Sequence, residues 1–527
     1  MKKILQNLSP WGSYLLLVIA LFYSISFNLW TNLDDPYYWY NGALHYADDY
    51  MSILSLWLGN VWRTITGDNV FTYRLLGWLM GMASILIPYC QLQDREGRLR
   101  NLFWLALGVV FMGPYTQGMY TPDSSTVLCL VILAVWILKG RTETWRNLSF
   151  LALVTAISIA VRFPNLLILP ALVLFILLQG WKKGQVLQTI RKSAVYTLIS
   201  ILLYYIIVVL ISSRLDILAF AKESIEHVTT TGGGSHGIVA LLMMYWWSFL
   251  DTFWITSSVL GGYLLTRHFI KQSGFTILWV IGGILTLYLS IHHFKNSVGL
   301  FSFISILLIL NLIFQKGNER KQLSFLFVAL LGFIACAGSN TGLMKIYPYY
   351  AALSPFVFIC YKSHITKDLF NKAVITLALF FSVSGSLNGI MQWHKNESEN
   401  YAVNITAYNH YSDFNHYTGL FTEETFNRLH AQMELYEKYG CKDHTIFYGR
   451  PECHEMYALS NSNPLYFVSF YMEADETMKL DKVFDTMAAD NQLVVFDYTK
   501  SEQMKKRMKE QGYRHTYEDN QLSIYTH

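Results

Sequence analysis

Six charged side chains stand out because each sits at the edge of a long apolar stretch: Asp34 and Asp35, Arg74, Asp123, Arg162 and Lys345. A charge at such a depth is expensive unless it is paired or used, so each marks a candidate site. A carboxylate among them can take a proton from a hydroxyl group, and the Arg and Lys side chains can hold a phosphate by charge-assisted hydrogen bonds. The set suits chemistry on a lipid-linked phosphate.

Several of these residues also have a purely structural reading. Asp35-Pro36 is a natural helix start, the carboxylate capping and the proline in the first turn; Asp34 has no such duty and is the stronger candidate. Asp123, between Thr121-Pro122 and Ser124-Ser125, has the same capping alternative, and Lys345 is a similar case. Arg74 and Arg162 can snorkel as interfacial anchors. Adjacent His292-His293 point apart on a helix and read as a polar rim, not a metal pair. The aromatic run Tyr37 to Tyr40 reads as an interfacial belt.

The elements that must position these groups are membrane spans. Of the 527 residues 53% are hydrophobic and only 14% charged, which excludes an ordinary soluble enzyme. The apolar runs are roughly 17 to 22 residues long, enough to cross about 30 Å of hydrocarbon, and about thirteen can be counted. Their cores are Ser13 to Trp30, Val70 to Cys90, Leu102 to Pro114, Ser125 to Leu138, Leu148 to Val161, Pro164 to Gln179, Ala194 to Ser212, Thr252 to Leu265, Phe275 to Ile291, Val298 to Phe314, Leu323 to Gly338, Ile346 to Tyr361 and Ala373 to Met391.

Alternate connections are rich in Lys and Arg, as at Lys182, Lys183, Arg191 and Lys192. The others, up to the last span, hold only Arg63, Arg74, Arg162, Arg214, Lys222, Lys295 and Lys345. That asymmetry predicts a cytoplasmic amino terminus and an extracytoplasmic carboxy-terminal region, in a multi-pass protein of, by expectation, a bacterial inner membrane. The first span reads as a retained anchor, since no small-x-small cleavage site follows it. The net charge of +4 reflects the basic loops and implies no nucleic-acid partner.

The expected fold is therefore a polytopic α-helical membrane domain over residues 1–391, followed by a small extracytoplasmic α/β domain over 392–527. Two long outer loops interrupt the first part, Thr31 to Asn69 and Ser213 to Gly237, the latter with the flexible run Thr229 to Ser235. Gly237 to Leu250 reads as a re-entrant or interfacial helix. In the second part, helices are predicted at Thr422 to Tyr439 and Ser501 to Gln511. Strands are predicted at Thr445 to Tyr448, Leu465 to Phe470, Leu493 to Phe496 and Leu522 to Tyr525. Cys441 and Cys453 are the only cysteine pair there and could form a disulfide in an oxidising compartment. No catalytic motif is visible in this domain.

The ordered motifs resemble those of the GT-C glycosyltransferases, specifically the protein O-mannosyltransferase and lipid A aminoarabinose transferase group. The resemblance covers roughly residues 10 to 360. It rests on Asp34-Asp35 after the first span, Arg74 in Thr-Tyr-Arg-Leu-Leu, Asp123 in Tyr-Thr-Pro-Asp-Ser-Ser, Arg162 in Val-Arg-Phe-Pro-Asn, and Lys345 in Lys-Ile-Tyr-Pro-Tyr-Tyr with Pro355 beyond. Three departures stand out: Asp35 where the family often has Glu, no Lys-Pro-Pro-Leu segment in the first loop, and Arg162 where Lys is common, a change that keeps the phosphate role.

The resemblance implies transfer of a sugar from a polyprenyl-phosphate donor to an extracytoplasmic glycan, lipid or protein acceptor, with inversion. Asp34 would be the general base, with Asp35 beside it. Arg74, Arg162 and Lys345 would hold the donor phosphate, and Asp123 would orient the acceptor or an arginine. The superfamily admits a divalent cation on Asp34-Asp35, although two adjacent carboxylates offer few ligands for one. A lipid-linked glycan flippase and a non-enzymatic membrane subunit remain the alternatives.

Overall fold

An apolar helix hides its backbone polar groups in its own hydrogen bonds, and in hydrocarbon it has no other means of satisfying them. The computed structural model describes residues 51–67, 70–92, 120–142, 144–220, 319–337, 345–364, 423–441, 444–448, 493–500 and 502–527, with a few single positions between them. In chain order the membrane-side helices are α1 (Ile53–Thr66), α2 (Val70–Gln91), α3 (Pro122–Leu138), α4 (Trp145–Val161), α5 (Ile168–Lys182), α6 (Val186–Ser212), α7 (Glu319–Ile334) and α8 (Tyr347–His364). From α2 to α8 they coincide with seven of the expected spans. The expected spans at Thr252, Phe275 and Ala373, and most of those at Ser13, Leu102 and Val298, lie outside the described residues.

Phe163–Lys182, a 3-10 turn running into α5, and α6 are long and apolar enough to cross a membrane. The outer surface of α6 decides what surrounds it: Leu187 is 83% exposed and Leu210 77%, and Leu198, Ile201 and Leu202 are exposed between them. A stripe of that kind fits a helix facing hydrocarbon, where a soluble core helix would be covered.

The helices are joined by small polar groups as well as by apolar packing. Buried Asn165 donates through Nδ2 to Thr126 Oγ1 at 2.9 Å and to Ser158 O at 2.9 Å. Thr155 and Tyr196 share a hydrogen bond of 2.8 Å between α4 and α6. Bonds like these hold helices together where the surroundings supply little hydrophobic drive.

Helix α1 lies within the segment expected to be a loop. It buries Ile53, Ser55, Leu56 and Gly59 along one face, and it rests on the ends of α2, α4 and α6. Gly59 faces the ring of Tyr73, and Trp62 Nε1 donates to Thr72 O at 2.7 Å.

The carboxy-terminal part forms a four-stranded sheet of order β1-β2-β4-β3, from β1 (Thr445–Tyr448), β2 (Val494–Asp497), β3 (Arg514–Glu518) and β4 (Ser523–Thr526). Strands β1 and β2 are parallel, and β4 is antiparallel to both β2 and β3. Helix α9 (Glu423–Tyr439) places Leu429, Met433 and Tyr436 in the cluster with Phe447, Phe496 and Ile524. Helix α10 (Glu502–Glu510) places Met504 and Met508 with Ile446, Val495 and Tyr525, the residues that alternate with them. The sheet is thus a middle layer between two helices, as alternating side chains require. The helix at 423–439 and strand β1 match the expected elements, and β2 and β4 are shifted by one residue. The expected strand at Leu465 lies outside the described residues. Cys441 has no disulfide partner among the described residues, and Cys453 lies outside them.

Candidate functional site

The site starts with a helix cap. Thr121 is extended, with φ −137° and ψ 165°, and its side chain accepts from Ser124 N while the Ser124 side chain accepts from Thr121 N. Pro122 fills the first turn, where its missing N–H costs nothing. The capping role considered for Asp123 therefore belongs to Thr121, and the Asp123 carboxylate points elsewhere.

It meets two cations. Lys345 Nζ donates to Asp123 Oδ2, and Arg162 Nε stands 3.7 Å from Asp123 Oδ1. The side chains of Asp123 and Lys345 are 28% and 30% exposed, so the pair opens to the exterior, while that of Arg162 is 11% exposed and closes the back.

Arg162 gets there because α4 stops. Pro164 cannot donate and disfavours helix at the residue before it. Arg162 takes φ −156° and ψ 112°, and the chain resumes as a 3-10 turn over Phe163–Leu167. From that extended residue the guanidinium reaches past the end of α7, where Nη1 donates to Ala335 O and Nη2 to Ala337 O, each at 2.8 Å. A cation at a helix carboxyl end also compensates its partial negative charge. Beside it, Phe163 N donates to Met51 O at 2.8 Å, so the chain just before α1 is fastened one residue from Arg162.

Lys345 is held by the residues that follow it. Tyr349 OH donates to Val328 O at 2.7 Å and Tyr350 OH to Ala329 O at 2.6 Å. Both rings lie against Gly332, where a Cβ would come within 2.9 Å of them. The tyrosine pair after Lys345 therefore locks α8 onto α7.

Of the six candidates the structure brings together Asp123, Arg162 and Lys345. Arg74 is buried near the start of α2, 4% exposed, and shares that end of the bundle: its neighbour Tyr73 packs edge-on against Tyr120 at 5.5 Å. Asp34, Asp35, His292-His293 and Tyr37 to Tyr40 lie outside the described residues. Among the described residues no group of three or more His, Cys, Asp or Glu converges as a metal site would require.

Sequence reading missed two features here. One is the hydroxyl group around Tyr120 OH, which accepts from Ser55 at 3.3 Å and Ser125 at 3.0 Å and joins α1 to α3. The other is the use of the carbonyls of Ala335 and Ala337 as Arg162 acceptors, which no side-chain pattern announces.

The oligosaccharyltransferase of Archaeoglobus fulgidus in its apo form matches with a TM-score of 0.44 and 12% identity over 87% of this chain, which spans 65% of that enzyme's length. AglB from the same organism, in complex with an inhibitory peptide and a dolichol-phosphate, matches at 0.45 and 13%, covering 93% of this chain and 70% of that one. ArnT of Cupriavidus metallidurans bound to undecaprenyl phosphate matches at 0.44 and 11%, covering 97% of both chains. No family model and no curated protein sequence matches. Likeness at this level carries no correspondence between residues.

Proposed function

We propose that the chain is a membrane glycosyltransferase that moves a sugar from a polyprenyl-phosphate donor to an extracytoplasmic acceptor. The observation that supports this most directly is the charge balance of the site: two cations, Arg162 and Lys345, face one carboxylate at an opening between helix ends. The excess positive charge, with the amino end of α3 beside it, favours a phosphate.

In this reading an acceptor hydroxyl attacks the anomeric carbon while the bond from that carbon to the phosphate oxygen breaks. Asp34 takes the hydroxyl proton, and the lipid phosphate departs with the bonding electrons. A phosphate is a good leaving group, so one carboxylate suffices where a glycosidase needs two. The anomeric centre inverts. Lys345, Arg162 and Arg74 hold the departing phosphate more strongly as its charge grows, and Asp123 keeps the first two in place before the donor arrives.

The test is sugar transfer from a lipid-linked donor by purified Asp34→Asn protein that inserts normally. Loss of transfer with intact donor binding is the expected result. Transfer at the wild-type rate would overturn the proposal, and movement of the lipid-linked sugar without bond formation would point to a flippase.

A further inference from the structure

In the carboxy-terminal domain, α9 and the turn between β3 and β4 stand far enough apart to leave a cavity of about 390 Å³. Small-molecule sites run from about 300 to 1,000 Å³. On the α9 wall Arg428, Gln432, Leu435 and Lys438 follow one another three or four residues apart, so they form one stripe. Leu429, Met433 and Tyr436 form the neighbouring stripe, which packs on the sheet.

The opposite wall is fixed by its own hydrogen bonds. Asp519 Oδ1 accepts from Gln521 N at 2.6 Å and from Leu522 N at 2.8 Å, and Asp519 Oδ2 accepts from Tyr517 OH at 3.1 Å. The Gln521 side chain lines the cavity beside this turn.

Gln432 is the residue that points to a ligand. It is only 5% exposed, and its Oε1, on the cavity wall, has no hydrogen-bond partner among the described residues. A buried amide left unpaired costs stability, and a leucine of similar size would avoid that cost. A ligand group that donates to this oxygen removes it.

Charge and shape narrow the class. Arg428 and Lys438 are balanced on the same walls by Glu434 and Asp519, so neither a phosphate nor a metal ion is favoured. The two glutamine amides both donate and accept, which matches groups that do the same, as sugar hydroxyls do. Leu435 and Leu522 offer a strip for the C–H face of one ring, short of the packed pocket that an anchoring peptide side chain fills.

We infer that this cavity binds a neutral saccharide, with Gln432 and Gln521 hydrogen-bonding its hydroxyls from the two walls. The inference stands on the cavity and does not rest on the proposed sugar transfer.

Saturation-transfer NMR of the full chain in an amphipol without sugar groups tests it. The probes are oligosaccharides of glucose, mannose, galactose and N-acetylglucosamine, with inorganic phosphate and a tetra-alanine peptide as comparators. At least one saccharide is expected to bind, and Gln432→Leu to weaken it by at least about tenfold. Binding of none of the saccharides, or saccharide binding that Gln432→Leu leaves unchanged, overturns the inference. So does tighter binding of the phosphate or the peptide that depends on Gln432. If Gln432→Leu lowers the Tm, Gln521→Ala on the exposed turn gives the same readings in its place.

Discussion

Lys345 and Asp123, 222 residues apart in the chain, form a hydrogen-bonded ion pair that joins the start of α8 to the first turn of α3. With Arg162 on the other carboxylate oxygen, one acid holds two bases apart from each other. Removing it should bring two like charges together in a half-buried site. Asp123→Asn is expected to destabilise the protein by about 1–3 kcal/mol, read as a fall in Tm in detergent. Adding Lys345→Met to that variant should recover part of the loss, and a coupling energy near zero in the double-mutant cycle would refute the pairing.

Arg162→Lys keeps the charge and loses the fork. The lysine can reach Ala335 O or Ala337 O but not both while also facing Asp123. The expected result is faster amide exchange in the last turn of α7, with sugar transfer reduced by at least about tenfold. Lys345→Arg, at the more open position, should be milder in both measurements. Reversal of that order would place the weight of the site on Lys345.

Gly59 has no room to grow. A Cβ there would lie 2.5 Å from Tyr73 Oη, and the Tyr73 ring is itself fully buried. Gly59→Ala is expected to cost about 1–3 kcal/mol, and Tyr73→Phe, which removes the nearest atom, should restore some of it. Thermal melts of the two single variants and the double variant decide the matter.

The carboxy-terminal domain carries its own pH dependence. Burial pushes the Asp497 carboxyl above its ordinary value, against opposing hydrogen bonds from Thr499. In the unfolded chain the same group ionises near about 3.9. Between that pH and the raised native value the folded domain binds more protons than the unfolded chain, so stability falls as pH rises through the window. Hydrogen exchange of β2 and β4 against pH should follow this slope, and Asp497→Asn should flatten it.

The helices of the apolar region were legible because long charge-free apolar runs give a strong signal. The seven described helices fall where the hydropathy places them, though α6 begins at Val186, more than two turns before Ala194, because polar Gln188, Thr189 and Arg191 are carried on the same helix. Helix α1 was not legible: its buried face mixes Ile53 and Leu56 with Ser55 and Gly59, and gives no run to detect. Strand β3, Arg-His-Thr-Tyr-Glu, is an exposed edge that pairs with β4 alone among the described strands, so it has no apolar signature.

At the site the residue types were visible and their pairing was not. Nothing local connects Asp123 with Lys345, since the contact depends on how α3 and α8 pack. The cap could have been read: Thr121 followed three residues later by Ser124 already offered a better cap than Asp123. The tyrosines after Lys345 illustrate a different limit, because their hydroxyls serve the backbone of α7 and only the packed helices make that acceptor available.

Arg162 ends α4, grips the carbonyls beyond α7 and faces the carboxylate on α3, so three helix termini converge on one planar group. An anion that draws the guanidinium away from Ala335 and Ala337 must loosen the last turn of α7, and linkage makes that relation reciprocal. Occupancy of the site and fraying of α7 are thus two readouts of a single equilibrium, and either can be measured in place of the other.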